Sequence, residues 1–141
     1  MTVINADKLR RLCSEEGILA AYLFGSQARG EAREDSDVDL AVVFFEKDLR
    51  YNDVSYVITL SDVFRQVAPG RRVDLIFLQK SGIEFQYSVL REGKVLFCAD
   101  SGARTDYEDR VMRDYLDFAP ELRLYRREVA EAVRGGHFIA Q

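Results

Sequence analysis

Residues 23–30 read Leu-Phe-Gly-Ser-Gln-Ala-Arg-Gly, and residues 36–43 read Ser-Asp-Val-Asp-Leu-Ala-Val-Val. The first stretch is an apolar run that ends in a Gly-Ser turn, and the second places two aspartates before another apolar run. Glycine lets a backbone approach a phosphate closely, and two carboxylates separated by one residue suit a divalent cation. The two stretches predict a strand, a tight turn with a short helix, and a second strand. Together they also predict that this part of the chain binds a nucleoside triphosphate.

The rest of the chain predicts helices that alternate with strands, followed by a helical tail. Predicted helices cover about residues 5–16, 27–29, 52–68 and 83–91, and predicted strands cover residues 18–24, 38–45, 72–78 and 95–98. Ser26 is the expected N-cap of the short helix, residues 31–36 an expected loop, and Pro120 the expected break between two tail helices, the second at 122–133. The pattern indicates one α/β domain (residues 1–141) with a small sheet and a C-terminal helical extension at 104–134.

Composition excludes several classes of function. The 141 residues carry a formal net charge of −4, which argues against a broad basic surface for nucleic acid. No apolar run approaches the roughly 20 residues that span a bilayer, and the N-terminus lacks the layout of a signal peptide. With two distant cysteines and one histidine, zinc and disulfide frameworks are not expected, and we expect a cytoplasmic protein with reduced thiols.

Three aspartates are candidate metal ligands and catalytic groups. Asp37 and Asp39 are two residues apart at the start of a strand, so both side chains should point to one face. Carboxylates so close repel each other unless a cation lies between them, and Mg²⁺ commonly binds one or two carboxylates with substrate phosphates and water. Asp74 lies in an otherwise apolar strand and is the candidate third carboxylate. The alternative for Asp74 is a salt bridge with Arg71 or Arg72.

Gly25, Ser26 and Arg29 are candidate nucleotide-binding residues. Ser26 offers a hydroxyl and a backbone N–H, and the helix that follows adds N–H groups and the positive end of its dipole. Arg29 either contacts a phosphate or is a surface arginine in the first turn of that helix. A triphosphate held here would lie beside the metal ions, which favours in-line displacement at a phosphoryl centre.

The spacing of these residues resembles a known signature. Gly25-Ser26, ten residues, and then Asp37-x-Asp39 is similar to the motif of the DNA polymerase β-like nucleotidyltransferase superfamily. The closer resemblance is to the minimal nucleotidyltransferases, the MntA-like antitoxins that accompany HEPN-domain toxins. It extends over residues 22–30, 36–42, 73–75, 87–97 and 113–120, and so covers most of the chain from about residue 18 to 133.

The resemblance implies a mixed β-sheet flanked by helices and Mg²⁺-dependent transfer of AMP from ATP, with two metal ions expected. It implies that the acceptor is a tyrosine of a partner HEPN RNase, which is thereby neutralised. Gly25 and Ser26 would hold the triphosphate, Asp37 and Asp39 the metal ions. Asp74 matches the third acidic position, which helps to activate the attacking hydroxyl.

Two other functions stay open on the sequence. One is a nucleotidyltransferase for a small molecule such as an aminoglycoside, although such enzymes generally carry an extra substrate domain. The other is an antitoxin that acts by binding alone. This alternative is disfavoured because the motif residues are intact, namely Gly25, Ser26, Asp37 and Asp39. The tyrosines and arginines of the tail favour docking of the toxin over direct binding of nucleic acid, because Tyr and Arg are enriched at protein interfaces. His137 is expected to be a solvated histidine.

Overall fold

The computed structural model of the protein describes residues 4–30 and 37–135, so the expected loop at 31–36 and His137 lie outside the described residues. The helices are α1 (Ala6–Glu15), α2 (Gly25–Arg29), α3 (Val54–Phe64), α4 (Ile83–Glu92) and α5 (Ser101–Arg134). The strands are β1 (Ile18–Phe24), β2 (Val38–Phe44), β3 (Val73–Phe77) and β4 (Lys94–Cys98). Short 3₁₀ turns cover Arg50–Asn52, Arg65–Val67 and Leu78–Lys80.

The four strands form one mixed sheet in the order β3-β2-β1-β4. Strand β1 is antiparallel to both β2 and β4, whereas β2 and β3 are parallel. In this register Phe24 lies opposite Asp39, and Asp39 lies opposite Asp74. The predicted α/β fold with a small mixed sheet is confirmed, and the register aligns the candidate aspartates across adjacent strands.

Side-chain caps mark the start of three of the four longer helices in the described part of the chain, α4 being the exception. Asn5 accepts a hydrogen bond from the backbone N–H of Lys8 at 3.1 Å and so caps α1. Asp53 caps α3, and Asp100 caps α5 by accepting from the N–H of Ala103 at 3.0 Å. Each cap satisfies one of the N–H groups that have no partner within the helix.

Three expectations about helix ends are wrong. Ser26 is not an N-cap, because α2 begins at Gly25, two residues before the predicted start, and Phe24 occupies the cap position. The helix predicted over 52–68 is α-helical only over Val54–Phe64 and tightens to 3₁₀ geometry at Arg65–Val67. Pro120 does not break the tail, since α5 continues through it as one helix. A proline removes one backbone hydrogen bond, and neighbouring turns of a long helix can keep the remainder in place.

Two apolar clusters cover the two faces of the sheet. Residues of α1 and α3 such as Leu9, Leu60 and Phe64 pack on one face. Residues of α4 and α5 pack on the other face, where Val89 and Val111 are buried. None of the helices in the described part of the chain is both long and apolar enough to cross a membrane.

The first half of α5 is joined to the sheet and to α4 by side chains. Tyr22 of β1 donates its hydroxyl to Glu108 at 2.7 Å, and Tyr107 donates to Gln86 of α4 at 2.6 Å. The Tyr87 and Tyr115 rings stack with centroids 3.8 Å apart. Further along, the apolar side chains of α5 are largely exposed, as Leu124 and Tyr125 show.

Candidate active site

The turn between β1 and α2 is shaped by Gly25. Its φ of +72° lies in the left-handed region, which glycine adopts without the steric cost that a side chain would add. The Asp39 carboxylate packs against the Gly25 Cα so closely that a Cβ at this position would overlap the Asp39 Oδ2 atom. The chain therefore needs glycine here for two independent reasons, one in its own backbone and one across the sheet.

The candidate aspartates lie in a row at this edge of the sheet. Residues that face each other across adjacent strands present their side chains on the same face, so Phe24, Asp39 and Asp74 lie side by side. Asp37 immediately precedes β2, and its charge acts on Asp39. The structure thus makes the three aspartates that the sequence singles out neighbours along this edge of the sheet.

The Asp39 carboxylate is partly desolvated and lies beside other charged groups. Desolvation raises its pKa above the ordinary value, and the neighbouring charges of Asp74 and Asp37 raise the pKa further. The positive charge of Arg29 acts in the opposite direction. A group whose ionised form is disfavoured in this way is a candidate for a functional site, and a bound cation would relieve the repulsion.

Asp74 has a second neighbour. The Arg72 Nε atom lies 3.4 Å from the Asp74 carboxylate, so the salt bridge left open by the sequence is formed. Both side chains are well exposed, and such a surface pair contributes little to stability. Over residues 4–30 and 37–135, no three acidic, cysteine or histidine side chains come close enough to hold a metal ion as a group.

The donor set nevertheless fits Mg²⁺. Mg²⁺ is commonly held by one or two carboxylates, the remaining ligands being substrate phosphate and water, so a complete cage of protein ligands is not required. The carboxylate of Asp39, desolvated and beside two like charges, is the kind of oxygen ligand that such an ion would neutralise.

Ser26 and Arg29 both lie in α2, and they precede and follow the buried Ala28 in the sequence. Ser26 is in the first turn, where backbone N–H groups have no partner within the helix. Because α2 is only five residues long, the helix dipole is a small contribution, and backbone and hydroxyl donors of the turn are the groups available to a phosphate. Arg29 is exposed in the last turn, and its charge reaches Asp39.

Sequence reasoning missed a cavity beside the turn. It has a volume of about 250 Å³ and lies between the end of β1, α2 and α4; its lining residues are Phe24, Gly25, Arg29, Phe85, Ser88, Val89 and Glu92. The Phe24 and Phe85 rings meet edge to face with centroids 5.6 Å apart. The position of Phe24 directly before Gly25 was a local signal for its part in the cavity. The α4 residues gave no comparable signal, because only the fold brings them to the turn.

A glycine turn packed against a row of carboxylates, at one edge of a small mixed sheet, is the arrangement that the sequence leads us to expect of a nucleotidyltransferase. The family model described as polymerase beta, nucleotidyltransferase matches residues 7–102. This match spans more than half of the chain, and the chain therefore belongs to the polymerase β nucleotidyltransferase family.

The chain is similar to a protein adenylyltransferase, MntA, of Thermococcus cleftensis. The two sequences are 38% identical over 93 residues, which is 64% of this chain and 86% of that protein. The matched region therefore includes most of the relative.

Solved structures share the fold. A chain in the crystal structure of a toxin–antitoxin with AMP-PNP has a TM-score of 0.74 and 22% identity, covering 90% of this chain and 99% of that chain. A chain in a structure of a tri-AMPylated Shewanella oneidensis HEPN toxin in complex with MNT antitoxin has a TM-score of 0.69 and 20% identity, covering 89% of this chain and 96% of that chain. At these identities the likeness establishes the nucleotidyltransferase fold.

Proposed function

We propose that the protein is a Mg²⁺-dependent adenylyltransferase that transfers AMP from ATP to a tyrosine of a partner HEPN RNase and so neutralises that toxin. The observation that carries the proposal is the packing of the Asp39 carboxylate against Gly25, within a row that also contains Asp37 and Asp74. This contact supports the proposal, because the turn proposed to bind phosphate touches a carboxylate proposed to bind the cation.

The relatives support the acceptor and the nucleotide. The curated relative is named as a protein adenylyltransferase, and the alignment covers most of its length. The solved structures that share the fold include a toxin–antitoxin with an ATP analogue and a complex with an AMPylated HEPN toxin. A cytoplasmic location is part of the proposal, since ATP and the RNA substrates of an RNase are found there.

Each residue of the site has a role in the proposed reaction. Gly25 and Ser26 hold the triphosphate through backbone N–H groups and the serine hydroxyl, and Arg29 adds positive charge at the same turn. Asp37 and Asp39, with Asp74, would hold Mg²⁺, in two ions. When bound, Mg²⁺ neutralises charge on the phosphates and orients the attacking and leaving oxygens.

The third aspartate, Asp74, is the proposed proton acceptor. The tyrosine oxygen of the partner forms a bond to the α-phosphorus of ATP, the bond from this phosphorus to the bridging oxygen breaks, and pyrophosphate leaves. The proton of the tyrosine hydroxyl passes to a nearby carboxylate, for which Asp74 is the candidate. Asp74 is partly exposed at the edge of the row, where an acceptor from another molecule can approach it.

The second half of α5 is the proposed docking surface for the toxin. Its exposed large apolar side chains are Phe118, Leu124, Tyr125 and Val133. Arginines alternate with them, and apolar, Tyr and Arg side chains together are typical of protein interfaces. The net charge of −4 gives no support to nucleic acid as a direct partner.

An acceptor assay tests this proposal. The protein is incubated with Mg²⁺ and ATP labelled at the α-phosphate, together with either a HEPN RNase encoded by a neighbouring gene or an aminoglycoside. Label on the RNase, with loss of RNase activity, is the expected result. Label on the aminoglycoside would replace the proposal with small-molecule transfer, and inhibition of the RNase with no label would replace it with neutralisation by binding alone.

A further inference from the structure

The proposed reaction assigns roles to the three aspartates but none to Arg72, whose guanidinium lies beside Asp74. We propose that Arg72 is a further catalytic residue, which binds the phenolic oxygen of the acceptor tyrosine and stabilises the negative charge that develops there as the proton leaves. This inference rests on the proposed function, because it presumes that AMP is transferred to a tyrosine hydroxyl.

Arg72 is fixed beside the carboxylate row at two points. Its backbone carbonyl accepts a hydrogen bond from the Val38 N–H at 2.8 Å, and Val38 stands between Asp37 and Asp39 in the chain. Its Nε atom lies 3.4 Å from the Asp74 Oδ1 atom. The Arg72 side chain is nevertheless 75% exposed, so a group from another molecule can reach it.

The order of the strands indicates from which side the acceptor arrives. In phosphoryl transfer the attacking and leaving oxygens lie roughly in line, on opposite sides of the phosphorus. The proposed function holds the triphosphate, and with it the leaving pyrophosphate, at the turn that follows β1. From this turn the sheet continues through β2 to β3, its outermost strand on that side. The attacking oxygen is therefore expected at β3, beside Asp74 and Arg72.

The charge of the carboxylate row explains why a cation is needed at this position. A tyrosine oxygen becomes negative as it loses its proton, and aspartates beside it oppose that change. An oxygen close enough to give its proton to Asp74 also comes within reach of the guanidinium that contacts Asp74. A guanidinium stays charged and has five N–H donors, so Arg72 can contact the Asp74 carboxylate and the phenolic oxygen at the same time.

The partner of the Arg72 charge changes during the reaction. Before transfer, this charge is paired with the ionised Asp74 carboxylate. The phenolic proton then passes to Asp74, the tyrosine oxygen forms a bond to the α-phosphorus, and the bond to the bridging oxygen breaks as pyrophosphate leaves with the electron pair. Asp74 is now neutral, and the Arg72 charge is paired with the phenolic oxygen. Arg72 keeps its own proton throughout.

Kinetics of AMP transfer to the partner RNase test this role in Arg72→Gln, Arg72→Lys and Arg65→Gln. Arg65 is the matched control, because its side chain is 73% exposed and pairs with Asp62 at 3.1 Å, at the end of α3 rather than on a strand of the row. We expect Arg72→Gln to lower kcat about 100-fold or more, as the loss of one donor to a developing oxyanion does. The KM for the RNase and the calorimetric affinity for Mg²⁺-ATP should stay unchanged. Arg72→Lys keeps the charge and should recover part of the rate, and Arg65→Gln should match the wild type.

A second acceptor separates charge stabilisation from a structural role. In an RNase that carries difluorotyrosine at the modified position, the fluorine atoms stabilise the phenolate, so this acceptor depends less on Arg72. The loss of kcat in Arg72→Gln should therefore be smaller with the fluorinated acceptor than with tyrosine. An unchanged kcat in Arg72→Gln, a loss confined to the binding of RNase or ATP, or an equal loss with both acceptors would overturn the role of Arg72. A wild type that transfers no AMP to the RNase would overturn the proposed function, and this inference with it.

Discussion

Gly25 and Asp39 depend on each other at the level of single residues. The glycine provides a backbone conformation and an open face, and the carboxylate occupies that face from the neighbouring strand. The cost of this arrangement falls on Asp39, whose charge is desolvated beside two other acidic groups. Functional sites commonly tolerate such a local cost, because the ligand that relieves it is the one they bind.

Gly25→Ala is expected to abolish binding of Mg²⁺-ATP. The added methyl group would overlap the Asp39 carboxylate, and alanine is strained at a φ of +72°. Gly70→Ala is the matched control, since Gly70 has a φ of +82° and, among the described residues, no atom within 4 Å of its would-be Cβ. Both variants should lose stability from backbone strain of about 1–2 kcal/mol, and only Gly25→Ala should lose the ligand. Calorimetry measures ATP binding by each variant, and thermal unfolding measures its stability. ATP binding by Gly25→Ala at wild-type affinity would refute the prediction.

Asp39→Asn is expected to raise the melting temperature at pH 7 in the absence of Mg²⁺. The folded-state pKa of Asp39 is raised, so folding favours its protonated form, and stability falls as pH rises through that pKa. The ionised Asp39 carboxylate therefore destabilises the folded state at pH 7. Below about pH 3.9, the pKa of this group in the unfolded chain, it has no such effect. Melting curves from pH 3.5 to 7.5 should show the variant's advantage growing with pH. Asp62→Asn, at an exposed helical aspartate that pairs with Arg65, is the control for the loss of one surface charge. An Asp39→Asn protein less stable than the wild type at pH 7 would contradict this reasoning.

At the scale of elements, the strands follow directly from the sequence. Strand β1 is where the sequence predicts it, at 18–24, because its apolar run is bounded by Gly17 and Gly25, which both have positive φ. Burial on both faces made its residues almost wholly apolar, which is a strong signal. The ends of the helices were harder to predict from the sequence. The length of α5 depends on contacts such as the Tyr87–Tyr115 stack, which holds the helix on α4 just before Pro120 and cannot be read from local pattern.

The residues of the candidate site also divide into those that local sequence predicts and those that only the fold brings together. Gly25, Ser26, Arg29, Asp37 and Asp39 stand within fifteen residues, so their proximity could be predicted from local spacing. Asp74 could be suspected because a carboxylate is costly in an apolar strand, and the parallel pairing of β2 with β3 places it opposite Asp39. Phe85 and Glu92 reach the site only because α4 packs on the end of β1, which no local motif encodes. The catalytic and binding roles of all these residues stay predictions.

Pro120→Ala is expected to stabilise α5. The substitution restores a backbone N–H in the helix interior and removes the ring's clash with the preceding turn, which together are worth about 1–3 kcal/mol. Helicity measured by circular dichroism and the melting temperature should both rise, while affinity for Mg²⁺-ATP should not change, because Pro120 lies on α5 and not on the turn or strands that carry Gly25 and the aspartates. A drop in melting temperature would show that the proline, and not continuous hydrogen bonding, sets the stability of this helix.

At the scale of the whole molecule, α5 divides into two parts. Its first half is part of the core through Tyr107 and Val111, and its second half carries exposed apolar residues and contacts α4 through the Arg126–Glu84 ion pair at 2.6 Å. The nucleotidyltransferase family match ends at residue 102, so nearly all of α5 lies beyond it. The division of the chain into one domain with a C-terminal extension at 104–134 remains our prediction.

Tyr125→Ala is expected to weaken binding of the partner RNase about tenfold or more, because large aromatic side chains at the centre of an interface contribute most to affinity. Ile58→Ala on α3 is the matched control, since both side chains are 64% exposed. Affinity for Mg²⁺-ATP should be unchanged in both variants. Surface plasmon resonance with the immobilised RNase measures the effect, and equal partner affinity for both variants would move the docking surface away from α5.

We propose that the carboxylate row catalyses AMP transfer to a tyrosine of the partner, separately from partner binding. The most direct measurement is mass spectrometry of the RNase after incubation with Mg²⁺, ATP and either the wild type or Asp39→Asn. We expect AMP on a tyrosine with the wild type and a loss of at least about 10–100-fold in transfer with Asp39→Asn, because a lost metal ligand should cost no less than changes around one. The variant should still form the complex. Transfer by Asp39→Asn at the wild-type rate, or an unmodified RNase after incubation with the wild type, would contradict the claim.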